Sequence, residues 1–195
     1  SRDMAAMARE GVESYKREQA QFAANGHLGQ LPPATFLAIS GGGDNGAFGA
    51  GLLCGWTAAG DRPNFKLVTG ISTGALIGPF AFLGPSYDKQ LKEFYTTTSP
   101  KDVLEKRNAL SALYNDAMAD NRPLRKLVAK AVTRKMLDEI AVEYRKGRLF
   151  LVATVDLDAS RGYIWNMTKI AASGHPGALD LFRNILIASA AIPGA

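Results

Sequence analysis

The stretch Lys66-Leu-Val-Thr-Gly-Ile-Ser-Thr-Gly-Ala-Leu-Ile-Gly-Pro-Phe-Ala-Phe-Leu83 decides the fold. Phe65 to Thr69 form an apolar run of strand length, and Ala75 to Leu83 open an apolar helix. Between them Gly70-Ile71-Ser72-Thr73-Gly74 reads as a tight turn, which puts Ser72 at a strand-to-helix corner. In the pattern G-x-S-x-G the flanking glycines let strand and helix pass without a Cβ clash. The serine is then lifted beside the free N–H groups of the new helix, where developing negative charge is favoured. No charge occurs between Lys66 and Asp88. Glycines, hydroxyls and Pro79 interrupt that window too often for a membrane span, which needs about 20 mostly apolar residues.

Upstream, Ala34-Thr-Phe-Leu-Ala-Ile39 reads as a buried strand. It runs into Ser40-Gly41-Gly42-Gly43-Asp44-Asn45-Gly46 and a helix from Ala47 to about Ala59. Consecutive glycines can turn backbone N–H groups toward an anion, and the helix N-terminus adds partial positive charge. Two chemistries use such a loop. Gly41, Gly43 and Gly46 fit the dinucleotide fingerprint G-x-G-x-x-G, with Asp61 as the ribose carboxylate. The alternative is an oxyanion hole for acyl transfer. Asp61 precedes the second strand, whereas a ribose-binding acid belongs at its end, and what stands at that end is Ser72. The position favours acyl transfer over dinucleotide binding.

Residues 2–24 carry Met4, Met7, Ala8, Gly11, Tyr15 and Phe22 at helical spacing, which predicts an amphipathic packing helix followed by a linker over 26–33. Residues 34–195 form one α/β domain in this reading. Helical patterns recur over 87–95 and 101–119, with Ser99-Pro100 between them. Asn121 and Thr133 are placed to cap two further helices, the first with Leu124, Leu127, Val128 and Ala131 on one face. The second carries Met136, Leu137, Ile140, Ala141 and Tyr144 and ends at Gly147. Arg148 to Val155 read as a buried strand, Gly162 to Met167 as its neighbour across a turn, and Gly177 to Ala191 as an apolar helix ending before Pro193. Alternating strands and helices predict a three-layer α/β/α sandwich with a mainly parallel central sheet.

The net charge of +5 is local: nine Lys or Arg lie between Asn121 and Arg148 against three acids. That segment could hold an acyl-transfer site against anionic lipid. No nucleic-acid partner, cofactor or metal is expected. The single cysteine, Cys54, excludes an internal disulfide and is expected in the core. The chain opens on Ser1 rather than methionine, so an upstream targeting segment to the bacterial cell envelope or the exterior can precede it.

A serine hydroxyl needs a base. The two histidines are His27 and His175. Ser72 with Asp156 or Asp158 and His175 has the chain order of an α/β-hydrolase triad, although His175 sits in a Ser-Gly-His-Pro-Gly turn. Asp180 is expected at the surface. A non-catalytic lipid- or dinucleotide-binding module that keeps the loop without the chemistry is a further alternative.

Taken together, Gly41-Gly42-Gly43-Asp44-Asn45-Gly46, Gly70-Ile71-Ser72-Thr73-Gly74 and Ala188-Ser189-Ala190-Ala191-Ile192-Pro193 resemble, in order, three blocks of the patatin-like phospholipases. The resemblance covers Phe36 to the end. It implies Ser72 as nucleophile, the N–H groups of Gly41, Gly42 and Gly43 as oxyanion donors, and Gly46, Gly70 and Gly74 as supporting positions. It also implies a serine–aspartate dyad without histidine or metal, acting on lipid or phospholipid. The family's aspartate lies in an Asp-Gly motif, and these 195 residues contain no Asp-Gly dipeptide. The aspartate is therefore expected beyond Ala195, and the 195-residue piece alone is expected to be nearly inactive. Asn45 replaces the family's usual Lys or Arg, which leaves neutral acyl esters open as substrates.

Overall fold

A computed structural model describes residues 2–96 and 122–191. The helical pattern over 101–119, the Ser99-Pro100 break, the Asn121 cap and Pro193 lie outside the described residues. Among the described residues four strands form one sheet in chain order: β1 (Thr35–Ile39), β2 (Phe65–Ile71), β3 (Leu149–Asp156) and β4 (Arg161–Asn166). The pairs β1–β2 and β2–β3 are parallel, and β3–β4 is an antiparallel hairpin. The helices are α1 (Arg2–Ala24), α2 (Gly46–Ala59), α3 (Thr73–Leu83), α4 (Asp88–Thr96), α5 (Arg122–Ala131), α6 (Arg134–Arg145), α7 (Met167–Ala171) and α8 (Ala178–Ala190). This is the α/β fold with a mainly parallel sheet that the alternation of elements predicts, in the α/β/α class. The short α7 has no periodicity of its own and is missed by sequence reading.

Register puts Leu37, Val68 and Phe150 on one sheet face, with Ile39, Gly70 and Val152 beyond them. On that face lies α3, buried from Thr73 to Phe82 because it carries no charge on any side. Gly78 allows the contact: a Cβ there would lie 2.4 Å from Phe150 Cε2. Phe82 and Phe182 of α8 complete an aromatic stack on Phe150, with centroids 6.0 and 6.2 Å away. Cys54 is buried, as expected.

Two expectations are corrected. β1 is not a buried strand: it is a sheet edge, and Phe36 is 64% exposed. An apolar run looks the same whether one or both faces are covered, and here only Leu37 and Ile39 turn toward the main core. In α1 the packed face is polar. Tyr15 is exposed while Ser14 is buried, its hydroxyl donating to the Gly147 carbonyl. Arg17 donates to the Tyr144 carbonyl at 3.0 Å and stacks on the Tyr144 ring, and Glu18 pairs with Lys66. Gly147 permits this docking: its φ is +89°, and a Cβ would meet Ser14 O at 2.4 Å.

The face read for α5 is the observed one, with Leu124 and Val128 buried, and Thr133 Oγ1 accepts from the Met136 N–H at 3.2 Å to cap α6. The basic segment is only partly a surface. Arg148 turns inward, donating to the Phe65 and Phe82 carbonyls at 2.8 and 2.6 Å and pairing with Glu143 at 2.8 Å. Lys126, Lys130 and Arg134 stay exposed. Among the described residues no helix is long and apolar enough to cross a membrane.

Burial by itself would raise the Glu143 pKa, but hydrogen bonds from Lys146 and Arg148 outweigh it and hold the carboxyl below its ordinary range. A depressed folded-state pKa contributes stability above the unfolded value that is lost as pH falls through the folded one. Glu143→Gln is expected to cost about 1–3 kcal/mol at neutral pH. Urea unfolding should show the variant and the wild type converging at acid pH, below both pKa values.

Candidate active site

β1 and β2 run parallel and end together, Ile39 opposite Gly70, so the loops that leave them meet at one end of the sheet. β2 continues to Ile71, two residues past the expected end, and α3 begins at once with Thr73. The whole change of direction falls on Ser72. Its backbone sits at φ 54°, ψ −127°, a conformation that costs a residue with a Cβ about 1–3 kcal/mol. Its hydroxyl makes no capping bond to α3, at whose positive end Ser72 stands.

Missing side chains let the two loops interlock. A Cβ on Gly74 would lie 2.1 Å from the Ile39 carbonyl oxygen and 2.8 Å from that of Ser40. One on Gly70 would meet the Gly74 carbonyl at 2.5 Å, and one on Gly46 would meet Thr73 Cγ2 at 1.8 Å. Thr73 Oγ1 donates to the Gly43 carbonyl at 2.9 Å, tying the glycine loop to the first turn of α3. Gly43 bends that loop with φ +52°. Gly41 is the loop residue that meets the serine: its Cβ position is 2.9 Å from Ser72 Cβ and 3.5 Å from Ser72 Oγ. Beside the loop an apolar groove of about 280 Å³ runs between β1 and α2, lined by Leu37, Ile39, Phe48, Leu52 and Trp56 among others.

The model of the patatin-like phospholipase family matches residues 37–195. The chain belongs to that family. It is a family of lipid acyl hydrolases, so the resemblance carried by the three motif blocks extends over most of the chain. A comparison with curated proteins returned no match.

Of the residues singled out in the sequence, the fold gathers Ser72, Gly41, Gly43, Gly46, Gly70 and Gly74. It does not gather the triad. Ser189, near the end of α8, touches the Ser72 backbone, whereas His175 precedes the start of the same helix. At 1.5 Å per residue, α8 alone separates them by about 16 Å. The His175 ring accepts the Gly177 N–H at 3.0 Å within its own exposed turn, and His27 stacks on Phe22 at the end of α1. Asp156 accepts from the Ala159 N–H in the β3–β4 turn. Asp61 stands before β2, at the sheet end opposite Ser72, and Asp180 is exposed. Among the described residues no acid or imidazole hydrogen-bonds the Ser72 hydroxyl.

Ser189 itself is the contact that sequence reading missed. The Ser72 N–H donates to Ser189 Oγ at 2.9 Å, and Ser189 Oγ donates to the Ala153 carbonyl at 2.7 Å. The available signal was its place in the third motif block.

Substituting Gly74→Ala forces a methyl into backbone atoms that have no rotamer to yield. The expected cost is about 3 kcal/mol, the upper end of overpacking penalties. Denaturant midpoints measure it, and a cost near zero would mean that the two loops do not approach as described.

Proposed function

We propose that this chain carries the nucleophilic half of a lipid acyl hydrolase that works through an acyl-serine. Ser72 Oγ attacks the ester carbonyl while its proton passes to an aspartate, and the lipid alcohol leaves with a proton returned from that acid. Water activated by the same carboxylate then attacks the acyl-serine and releases the fatty acid. The N–H groups of Gly41, Gly42 and Gly43 are the donors for the oxyanion. In this reading the aspartate lies beyond Ala195, in the Asp-Gly motif that follows the alanine–serine–proline block in the family, and neither a metal nor a cofactor takes part.

The observation that carries the reading is the corner itself: a strained serine at a helix N-terminus, packed so closely on Gly41 that a Cβ there would lie 3.5 Å from the serine hydroxyl. A dinucleotide site would use the same glycines but has no use for a serine held in that conformation. The substrate class follows from the family and from the apolar groove beside the loop, with medium-chain acyl esters as the simplest probes. Lys126, Lys130 and Arg134 are among the exposed cations available to an anionic lipid surface.

The test is hydrolysis of a chromogenic medium-chain ester by the protein extended past Ala195. Ser72→Ala should abolish turnover, and Gly41→Ala should lower it about 10²–10³-fold by displacing a donor. Residues 1–195 alone should be nearly inactive, because general-base help is worth about 10²–10⁴. Turnover that survives Ser72→Ala removes the assignment. Turnover by residues 1–195 that is lost on His175→Ala would restore the triad.

A further inference from the structure

We propose that Ser189 is a positioning residue that fixes the backbone of Ser72 from α8, which packs beside α3; the proposal rests on the acyl-serine reading above. In the β2–β3 ladder Ile71 pairs with Ala153, and that is the last pair before β2 turns away. Past that point the Ser72 N–H no longer reaches β3 directly. The Ser189 hydroxyl stands in the gap, accepting from the Ser72 N–H at 2.9 Å and donating to the Ala153 carbonyl at 2.7 Å. It continues the ladder by one side-chain link.

A serine inside a helix ordinarily returns its hydroxyl to the carbonyl four residues back. Ser189 instead spends both its donor and its acceptor on residues far away in sequence. What those bonds hold is a serine at positive φ, the one residue of the corner whose backbone gains by relaxing. If the link is cut, Ser72 can rotate toward an ordinary conformation, and its hydroxyl leaves the place beside Gly41. Misplacement of a reacting atom by about 1 Å can cost 10²-fold in rate.

The experiment uses the full-length protein with Ser189→Ala, Ser189→Cys and Ser189→Thr, Ser72→Ala as the control, and two readouts. Amide hydrogen exchange followed by NMR reports the Ser72 N–H directly, whether or not the protein is active. Chromogenic ester turnover reports kcat and KM. The expected result is that Ser189→Ala speeds Ser72 amide exchange at least tenfold while the Gly84 amide, bonded to the Phe80 carbonyl at the far end of α3, is unchanged. It should also lower kcat about 10²-fold with KM nearly constant. Ser189 is half-buried, so threonine, which keeps the hydroxyl, should restore both. Cysteine, close in size but a weak donor, should restore neither, and it covers the case in which alanine prevents folding.

Unchanged exchange at Ser72 in the alanine and cysteine variants would overturn the bridge. Faster exchange with undiminished Ser72-dependent turnover would overturn the positioning role, as would an equal loss in all three variants. Absence of Ser72-dependent turnover in the wild type would instead sink the hydrolase reading, and with it the positioning role, while the exchange data still decide whether the bridge exists.

Discussion

Where β1 and β2 end, two backbones pass at a distance that no pair of side chains would allow. The carbonyls of Ile39 and Ser40 occupy the space that a Cβ on Gly74 would need, and Thr73 occupies that of Gly46. Because Ile39 and Gly70 are paired in register, both chains reach this crossing at the same level of the sheet. Repulsion between backbone atoms rises steeply and neither chain can yield by changing a rotamer, so the arrangement is discrete. Gly41 beside Ser72 and the Thr73 bond to Gly43 follow from that interlock.

The helix that leaves the crossing is held at its far end by buried charge. Arg62 donates to the Ala81 carbonyl at 3.2 Å and Arg148 to that of Phe82 at 2.6 Å, so two guanidinium groups meet the last carbonyls of α3. Each has its own acid, Asp88 for Arg62 and Glu143 for Arg148, both at 2.8 Å. A buried guanidinium is tolerated when its donors are satisfied in this way. Cations at the carboxyl end of α3 and the proposed nucleophile at its amino end are two uses of one helix dipole. Arg148 also donates to the Phe65 carbonyl at the start of β2, the end of the sheet away from the crossing.

Membership in the patatin-like phospholipases gives this geometry its chemical meaning. The family's hydrolysis of lipid acyl bonds requires an exposed hydroxyl, donors for a developing oxyanion and a route for a proton. The first two have candidates within a few residues of the crossing. The third has none among the described residues, where both histidines make contacts within their own segments.

Local signals in the chain determined the strands, the two strand-to-helix corners, the caps at Thr133 and Gly147, and the order of the three motif blocks. These features depend on neighbours in sequence: an apolar run, a glycine where φ is positive, a hydroxyl before a helix. The family assignment was legible for the same reason. What only the tertiary structure decided are relations between distant segments. The edge position of β1 depends on which strands pair, and an apolar run does not report how many of its faces are covered. The polar docking of α1 through Ser14 and Arg17 depends on carbonyls at Tyr144 and Gly147, so its moment pointed to the wrong face. Ser189 reaches Ser72 across 117 residues, and the length of α8 keeps His175, before its start, away from that contact. A hydrogen bond or a separation of that kind is set by packing, and a chain read one residue at a time carries no measure of it.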